Sequence, residues 1–137
     1  MSPGPRVVDP PELARPRGFA HGIVAPAGAR LLFVAGQVGW DREARLVGDS
    51  FVAQWERAID NVLAVVRAAG GSPPDVVRMT VYVTDKREYE AALSELGAVW
   101  RERFAKHYPA MALVEVAALL EPGAKVEIEA TAALPPE

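Results

Sequence analysis

The sequence predicts a small α+β protein in which two helices pack on one face of a mixed β-sheet. Two observations carry this prediction. Two long segments repeat their apolar residues every three to four positions, as amphipathic helices do. Several shorter segments alternate apolar and polar residues between turn-forming Gly and Pro, as strands do. The predicted order of these segments along the chain is β-β-α-β-α-β-β.

Composition and charge narrow the functional classes. The chain has 137 residues, half of them apolar, which is the usual size and make-up of one globular domain. A formal net charge of −3 offers no basic surface for nucleic acid, so nucleic-acid binding is not expected. The chain has no cysteine, which excludes disulfides and thiolate nucleophiles, and its two histidines lack metal-ligand spacing. We therefore expect no metal site and a reducing, cytoplasmic location.

The two ends of the chain differ in composition from its centre. Residues 1–16 contain five prolines and no apolar segment of the kind found in signal peptides. Because proline fixes φ and removes a backbone donor, this segment is predicted to be an extended or disordered arm. Residues 17–134 are expected to form a single domain, and residues 135–137 a tail. No apolar run approaches the roughly 18 residues that span a bilayer, so no membrane segment is expected.

The first three elements follow from local patterns. Gly22–Ala27 and Leu31–Val38 are predicted strands, and the Pro and Gly residues between them indicate a hairpin. Phe51–Ala69 is predicted to be a helix because its apolar residues fall on one face. Asp49 or Ser50 can cap its start through a side-chain oxygen. Two consecutive glycines follow the helix and can adopt the positive φ that ends it.

The next two elements are a strand and a second helix. Alternation over Val76–Thr84 predicts a strand with one apolar face. The residues of that face are Val77, Met79, Val81 and Val83. The second helix is predicted from Thr84 or Asp85 to about Lys106. Its apolar stripe consists of Tyr89, Leu93, Leu96, Trp100 and Phe104.

Two further strands, near Ala110–Leu119 and Lys125–Leu134, complete the predicted sheet. The last strand alternates, whereas the preceding strand is apolar on both faces. Its apolar pairs are Met111 with Leu113 on one face and Ala112 with Val114 on the other. Two helices cover only one face of a sheet. We therefore expect a partner subunit to bury the other face.

Five ordered segments of the chain resemble signature segments of the Rid (YjgF/L-PSP) family. They are Val34–Val38, Gln54–Gly70, Val76–Asp85, Tyr108–Leu119 and Val126–Ala130. The resemblance implies a chorismate-mutase-like (YjgF-like) fold and a homotrimer with ligand clefts between adjacent subunits. The best-known members hydrolyse reactive 2-imino or enamino acids to 2-keto acids and ammonia, with no metal and no organic cofactor. Some members carry an older endoribonuclease label.

The most informative departure from the family pattern is at Met111. In the deaminating members the C-terminal signature reads Pro-Ala-Arg, and the arginine pairs with the substrate carboxylate through two hydrogen bonds. The same signature here is Pro109-Ala110-Met111. A thioether cannot bind a carboxylate. Each lost charge-assisted hydrogen bond is expected to cost about 1.5–3 kcal/mol of affinity for a short imino acid.

The resemblance also implies the other residues of the site. Phe19 matches a family tyrosine, keeping the ring and losing the hydroxyl, while Ala35 and Leu113 replace small polar residues. The acid that positions or activates the hydrolytic water matches Glu127, which is retained. We expect these side chains and Met111 to form a pocket with an apolar floor and one acid nearby. Such a pocket suits a less polar ligand than a short imino acid.

Each candidate also has a structural explanation. Glu127 could act as a general acid or base if it lies among apolar groups, or it could be a solvated strand acid beside Glu129. His21 lies beside the expected cleft, but a lone histidine is more often a hydrogen-bonded structural residue than a base. Arg78 and Lys125 could replace the missing arginine from another position, although Arg78 could instead cover the sheet face or pair with an acid.

Three functions remain open from the sequence. The first is hydrolysis of an imine or enamine of a small metabolite, with Glu127 handling the water. The second is a non-catalytic trimer that binds a metabolite in apolar clefts. The third, an endoribonuclease, is disfavoured by the net charge and the scarcity of histidine. RNA binding would reveal itself by a steep dependence on salt, because phosphate contacts release counterions.

Overall fold

The computed structural model describes residues 4–137, and within them it contains six strands and three α-helices. The strands are β1 (Arg6–Val8), β2 (Gly22–Val24), β3 (Arg30–Val38), β4 (Val76–Val83), β5 (Ala110–Glu115) and β6 (Val126–Leu134). The helices are α1 (Phe51–Ala68), α2 (Lys86–Ala91) and α3 (Leu93–Phe104). None of the helices in these residues is long and apolar enough to cross a membrane.

The main sheet has four strands in the order β3-β6-β4-β5. The β3–β6 and β6–β4 pairs are antiparallel, whereas β4 and β5 are parallel. Helices α1 and α3 pack on one face and enclose a core in which the most buried side chains come from α1, β4 and β6. Among them are Ile59, Val62, Leu63, Met79, Val81, Val126 and Ile128, all with no exposed surface. The mixed sheet with helices on one face confirms the predicted fold class.

The predicted hairpin between the first two strands is wrong. Strand β2 pairs with β1, in the register Arg6↔Val24, and β3 pairs instead with β6. Strand β3 finds a better apolar match in β6, because its inward residues Leu32 and Val34 lie opposite Ala132 and Ala130. The predicted N-terminal arm therefore contains a strand that sequence patterns missed. Residues 1–3 of that arm lie outside the described residues, and the predicted domain boundaries stay predictions.

Helix α1 agrees closely with its prediction, but the second predicted helix is divided. Ser50 Oγ accepts a hydrogen bond from the Ala53 N–H at 3.2 Å, which caps α1. The second helical region breaks at Ala92 into α2 and α3. Leu93, which the sequence placed on the apolar stripe, directly follows the break and is 54% exposed. Helix α3 ends just before Ala105, which adopts φ 54°.

A bulge in β4 changes which valine enters the core. The pairing of β4 with β6 shifts by one residue between Val76 and Arg78. As a result Val76 is fully buried, whereas Val77 is only half-buried. The predicted alternation resumes at Met79 and holds to the end of the strand. Alternation alone could not reveal the shift, because both residues are valines.

One buried polar side chain, Gln54 on α1, joins three segments of the chain. Its Nε2 donates hydrogen bonds to the Gly48 carbonyl at 2.7 Å and the Gly123 carbonyl at 3.2 Å. Its Oε1 accepts from the Lys125 N–H at 2.8 Å. The side chain has no exposed surface. Gln54 therefore holds the start of β6 and the loop before α1 against the helix layer.

The sheet face opposite the helices is open and partly apolar. Phe33 is 74% exposed, Leu31 is 57% exposed and Val114 is 42% exposed. Polar residues lie among them, and the Tyr82 hydroxyl donates a 2.7 Å hydrogen bond to Glu129. We call this surface, defined by Leu31, Phe33, Thr80, Tyr82, Val114, Glu127 and Glu129, the open face. Exposed apolar side chains on a sheet mark an interaction surface.

Candidate functional site

An aromatic cavity of about 210 Å³ lies between the helices and the edge strand β5. Its lining includes Arg17, Trp55, Tyr89, Trp100, Tyr108 and Met111. Each of the three helices contributes one aromatic residue. Met111 reaches the cavity because its pairing partner on β4, Met79, faces the helix side of the sheet. We call this space the aromatic cavity.

The aromatic walls are ordered by ring contacts and one hydrogen bond. Trp100 stacks on Tyr108, with ring centroids 5.8 Å apart and an interplanar angle of 4°. The Trp100 indole N–H donates to the His107 carbonyl at 3.0 Å. On the other wall, Trp55 lies 5.8 Å from Tyr89 between ring centroids, and burial raises the pKa of the Tyr89 phenol. The Trp55 Nε1–H is buried and has no hydrogen-bond partner within residues 4–137.

An ion-pair cluster fixes the helices that carry these walls. Arg103 on α3 donates to Asp60 on α1 at 2.6 Å from Nε, and to Glu56 at 2.7 Å from Nη2. The two carboxylates, Asp60 foremost, hold the pKa of Arg103 well above its already high ordinary value. Trp55 and Trp100 lie on the same two helices, so the cluster joins the two elements that carry these walls.

The segment that carries Phe19 and His21 lies beside the start of β5. The Ala20 N–H donates to the Pro109 carbonyl at 3.0 Å, which places Phe19 and His21 next to Met111. The Phe19 and His21 rings meet edge to face, 5.3 Å between centroids. The His21 Nε2 lies 2.6 Å from the Ala14 carbonyl, which can only accept, so Nε2 carries the proton. This geometry favours the structural explanation of His21.

The second histidine is also held by a carbonyl. The ring Nε2 of His107 lies 2.7 Å from the Val76 carbonyl. The described residues contain no group of three or more acidic or histidine side chains that could hold a metal ion. Within the described residues, both histidine rings are thus held through Nε2 by a backbone carbonyl.

Glu127 lies on the open face, with its carboxylate directly over Gly36. A Cβ built on Gly36 would overlap the Glu127 carboxylate oxygen, so the missing side chain at this position makes room for the acid. None of the ion pairs within residues 4–137 includes Glu127. Its neighbour Glu129, by contrast, is engaged by the Tyr82 hydroxyl. Glu127 is thus the acid on this face that remains available for chemistry.

One chain does not bring all the predicted site residues together. Phe19, His21 and Met111 line one shallow cleft. Met111 on β5 pairs with Met79 of β4, whereas Glu127 on β6 pairs with Tyr82 of β4. Tyr82 lies three residues beyond Met79 along β4. Standard strand spacings then separate the Met111 and Glu127 side chains by about 10 Å in each direction within the sheet. Met111 faces the helices and Glu127 faces away, so a pocket containing both is not formed within one chain.

The two remaining predicted residues lie apart from that cleft. Leu113 packs against the core beneath the helices. Ala35 is exposed on β3, on the strand that also carries Gly36. The predicted apolar floor is therefore distributed between the helix side of the sheet and its open face. Whether it assembles with a neighbouring copy stays a prediction.

The basic residues that could take the place of the family arginine, Lys125, Arg78 and Arg17, differ in their surroundings. Lys125 is engaged, because its Nζ lies 3.3 Å from Glu88. Arg78 borders the cleft of Phe19 and Met111 on the open side. Arg17, which sequence reasoning missed, lies at the aromatic cavity together with Met111. Its position two residues before Phe19 was the only sequence signal that could have pointed to it.

The fold and these clefts define a class: a small α+β protein with an acid-bearing open sheet face and a ligand-sized cavity at the sheet edge. The family described as Endoribonuclease L-PSP matches residues 14–134. A Rid family protein of Yersinia pestis, described as of unknown function, superimposes with a TM-score of 0.82 at 34% identity, covering 96% of this chain and 99% of that one. The chain belongs to the Rid (YjgF/L-PSP) family.

Curated relatives are similar over most of their length. A RutC family protein of Pyrococcus abyssi is 35% identical over 102 residues, which is 74% of this chain and 76% of that protein. A 2-iminobutanoate/2-iminopropanoate deaminase of Salmonella typhimurium is 34% identical over 102 residues, covering 74% of this chain and 78% of that enzyme. The chain thus resembles proteins that include named deaminases.

Proposed function

We propose that this protein hydrolyses an imine or enamine of a small metabolite in clefts between the copies of a homotrimer, with Glu127 activating the water. The observation that carries the proposal is the Glu127 carboxylate, free of ion pairs within the described residues and seated over Gly36. The similarity to named 2-iminobutanoate/2-iminopropanoate deaminases supports the reaction class. A cytoplasmic location for this reaction stays a prediction from composition.

The chemistry needs one acid that can both accept and return a proton. The Glu127 carboxylate accepts a proton from water while the water oxygen bonds to the imine carbon. Glu127 returns that proton to the imine nitrogen, which completes a carbinolamine. Glu127 then takes the hydroxyl proton of the carbinolamine and passes it to the nitrogen, so that a C=O bond forms, the C–N bond breaks and ammonia leaves. Imine and water are consumed, and a keto compound and ammonia are released. An enamine first gains a proton at carbon and loses one from nitrogen, which converts it to the imine.

The open face supports assembly with further copies of the chain. A groove of about 320 Å³ crosses it between Phe33, Arg78 and Glu129. The helices leave this face uncovered, and exposed apolar side chains of this kind are buried by partners. Glu127 lies on this face, whereas the aromatic cavity lies on the other side of the sheet at the β5 edge. A cleft that contains both the acid and the cavity therefore requires a second copy.

The direct test is ammonia release from freshly generated 2-imino acids, measured against the uncatalysed rate. Turnover above that rate supports the proposal. An inert protein that retains a small metabolite through purification would instead support the alternative, a non-catalytic metabolite-binding trimer. The alternative rests on the loss of hydrogen-bonding groups at Phe19, Ala35 and Met111.

Phe33→Asp is expected to disperse the assembly. A carboxylate in the centre of the open face would have to be buried without a partner, which costs several kcal/mol per subunit. Sedimentation velocity should show a shift from trimer to monomer, and hydrolysis should fall at least tenfold because the inter-subunit cleft is lost. Val65→Asp, a comparable change at an exposed apolar residue of α1, is the control and should leave the trimer intact. A trimeric Phe33→Asp protein would contradict this account of the interface.

Gly36→Ala should displace the catalytic acid without unfolding the protein. The added Cβ meets the end of the flexible Glu127 side chain, and no backbone atom stands among its three nearest neighbours. We expect a loss of hydrolysis of at least tenfold with little change in melting temperature. Gly28→Ala is the comparison, since its new Cβ would meet only Pro136 far from the acid, although positive φ there adds some strain. Full activity in Gly36→Ala would show that the carboxylate does not need this position.

A further inference from the structure

We propose that Arg17 binds the acid group of the ligand in place of the arginine that Met111 replaces, and that the aromatic cavity selects an acid with an aromatic side chain. This inference rests on the proposed function, because it names the substrate class of the same clefts. It assigns to Arg17 the role of a specificity-determining residue. The preferred substrate is then an aromatic 2-imino acid rather than a short aliphatic one.

The size and walls of the cavity fit one aromatic ring. A cavity of about 150 Å³ lined by apolar side chains is large enough to hold benzene. The aromatic cavity, at about 210 Å³, leaves additional room for a short acid-bearing chain. Flat rings from Trp55, Tyr89 and Trp100 line it, and aromatic rings attract one another in offset and edge-to-face contacts. A short aliphatic side chain would leave much of these walls without a contact.

An unused hydrogen-bond donor lies in the same walls. Trp55 is only 4% exposed, and its Nε1–H has no acceptor within the described residues. Buried polar groups are almost always hydrogen-bonded, so a lone one calls for a ligand or a water molecule.

Arg17 supplies the complementary charge. It borders the cavity together with Met111, and no ion pair within residues 4–137 includes it. A guanidinium presents a planar fork that matches a carboxylate. Two other arginines lie nearby but not at the aromatic cavity: Arg15 borders a neighbouring cleft with Asp9 and Phe19, and Arg78 borders the shallow cleft of Phe19 and Met111 on the open side. Arg17 is therefore placed to hold an acid group at the cavity while the ring enters it.

The test uses stable 2-oxo acids, the products of the proposed reaction, as probes. Binding of phenylpyruvate and of pyruvate to the full chain is measured by calorimetry and by tryptophan fluorescence, since Trp55 and Trp100 line the cavity. We expect phenylpyruvate to bind at least tenfold more tightly than pyruvate. Arg17→Gln should weaken phenylpyruvate binding at least tenfold, while Arg15→Gln, the matched control, should change it less than twofold.

A second variant tests whether Arg17 and Met111 serve the same group of the ligand. In the double variant Arg17→Gln/Met111→Arg, the arginine returns to the family position, and most of the lost affinity should return. Unchanged phenylpyruvate binding in Arg17→Gln, or equal binding of the two probes, would overturn the inference. Failure of the proposed function looks different. If binding depends on Arg17 but no ammonia is released, the inference about Arg17 holds and the proposed hydrolysis is refuted. If ammonia is released but binding does not depend on Arg17, the proposed hydrolysis holds and the inference about Arg17 is refuted.

Discussion

Glu127→Gln is expected to lower the rate of imine hydrolysis by about 10²–10⁴-fold, the usual contribution of a general acid–base group. The amide keeps the size and hydrogen-bonding shape of the side chain but cannot accept the proton of the attacking water. Because Glu127 lies at the surface of the open face and in no ion pair within residues 4–137, the fold should be unaffected. Initial rates of ammonia release from freshly generated 2-imino acids measure the effect.

Glu129→Gln is the matched control for that experiment. Glu129 lies two residues further along the same strand and on the same face, and it accepts a hydrogen bond from Tyr82. That hydrogen bond raises the pKa of the Tyr82 phenol. We expect the control to lose less than about threefold in rate, since it removes a charge without removing the base. Equal losses in the two variants would assign the effect to the charge of the face rather than to Glu127.

Gln54→Met should be the most destabilising single substitution among those considered for the fold. Methionine fills a similar volume but cannot hydrogen-bond, so two carbonyls and one N–H lose their buried partner. An unsatisfied buried group costs about 1–3 kcal/mol, and because Gly48 and Gly123 are themselves exposed we expect a total at the lower end for three groups, roughly 3 kcal/mol. That is a large share of the ~5–15 kcal/mol that stabilises a typical domain. Urea unfolding measures it as a lower midpoint.

Gln37→Met provides the comparison for Gln54→Met. Gln37 is only half-buried, and its amide makes one hydrogen bond, to the Ala35 carbonyl at 3.1 Å. The same chemical change there should cost about 1 kcal/mol or less. If Gln54→Met cost no more than Gln37→Met, water would have to replace the lost hydrogen bonds, and the joining role of Gln54 would be refuted.

The candidate site shows how far residue patterns and family resemblance reach. They predicted Glu127 and Met111 as site residues, and the resemblance implied that Met111 stands in place of the family arginine. They did not show that these two side chains lie on opposite faces of the sheet, which follows from the pairing of β4 with both neighbours. They also missed Arg17, because nothing in its local sequence indicates that the chain folds back to place it beside Met111.

The elements of the fold also differ in whether the sequence alone could predict them. The sequence alone determined helix α1, its Ser50 cap and the alternation of β6, because each depends on residues only a few positions apart. Only the tertiary structure decided that β2 pairs with β1, that β4 is bulged near Val77 and that Gln54 joins three segments. Those features depend on which distant strands match in shape and burial. The aromatic cavity is of the same kind, since its walls come from α1, α2, α3 and β5 and exist only once those elements have packed together.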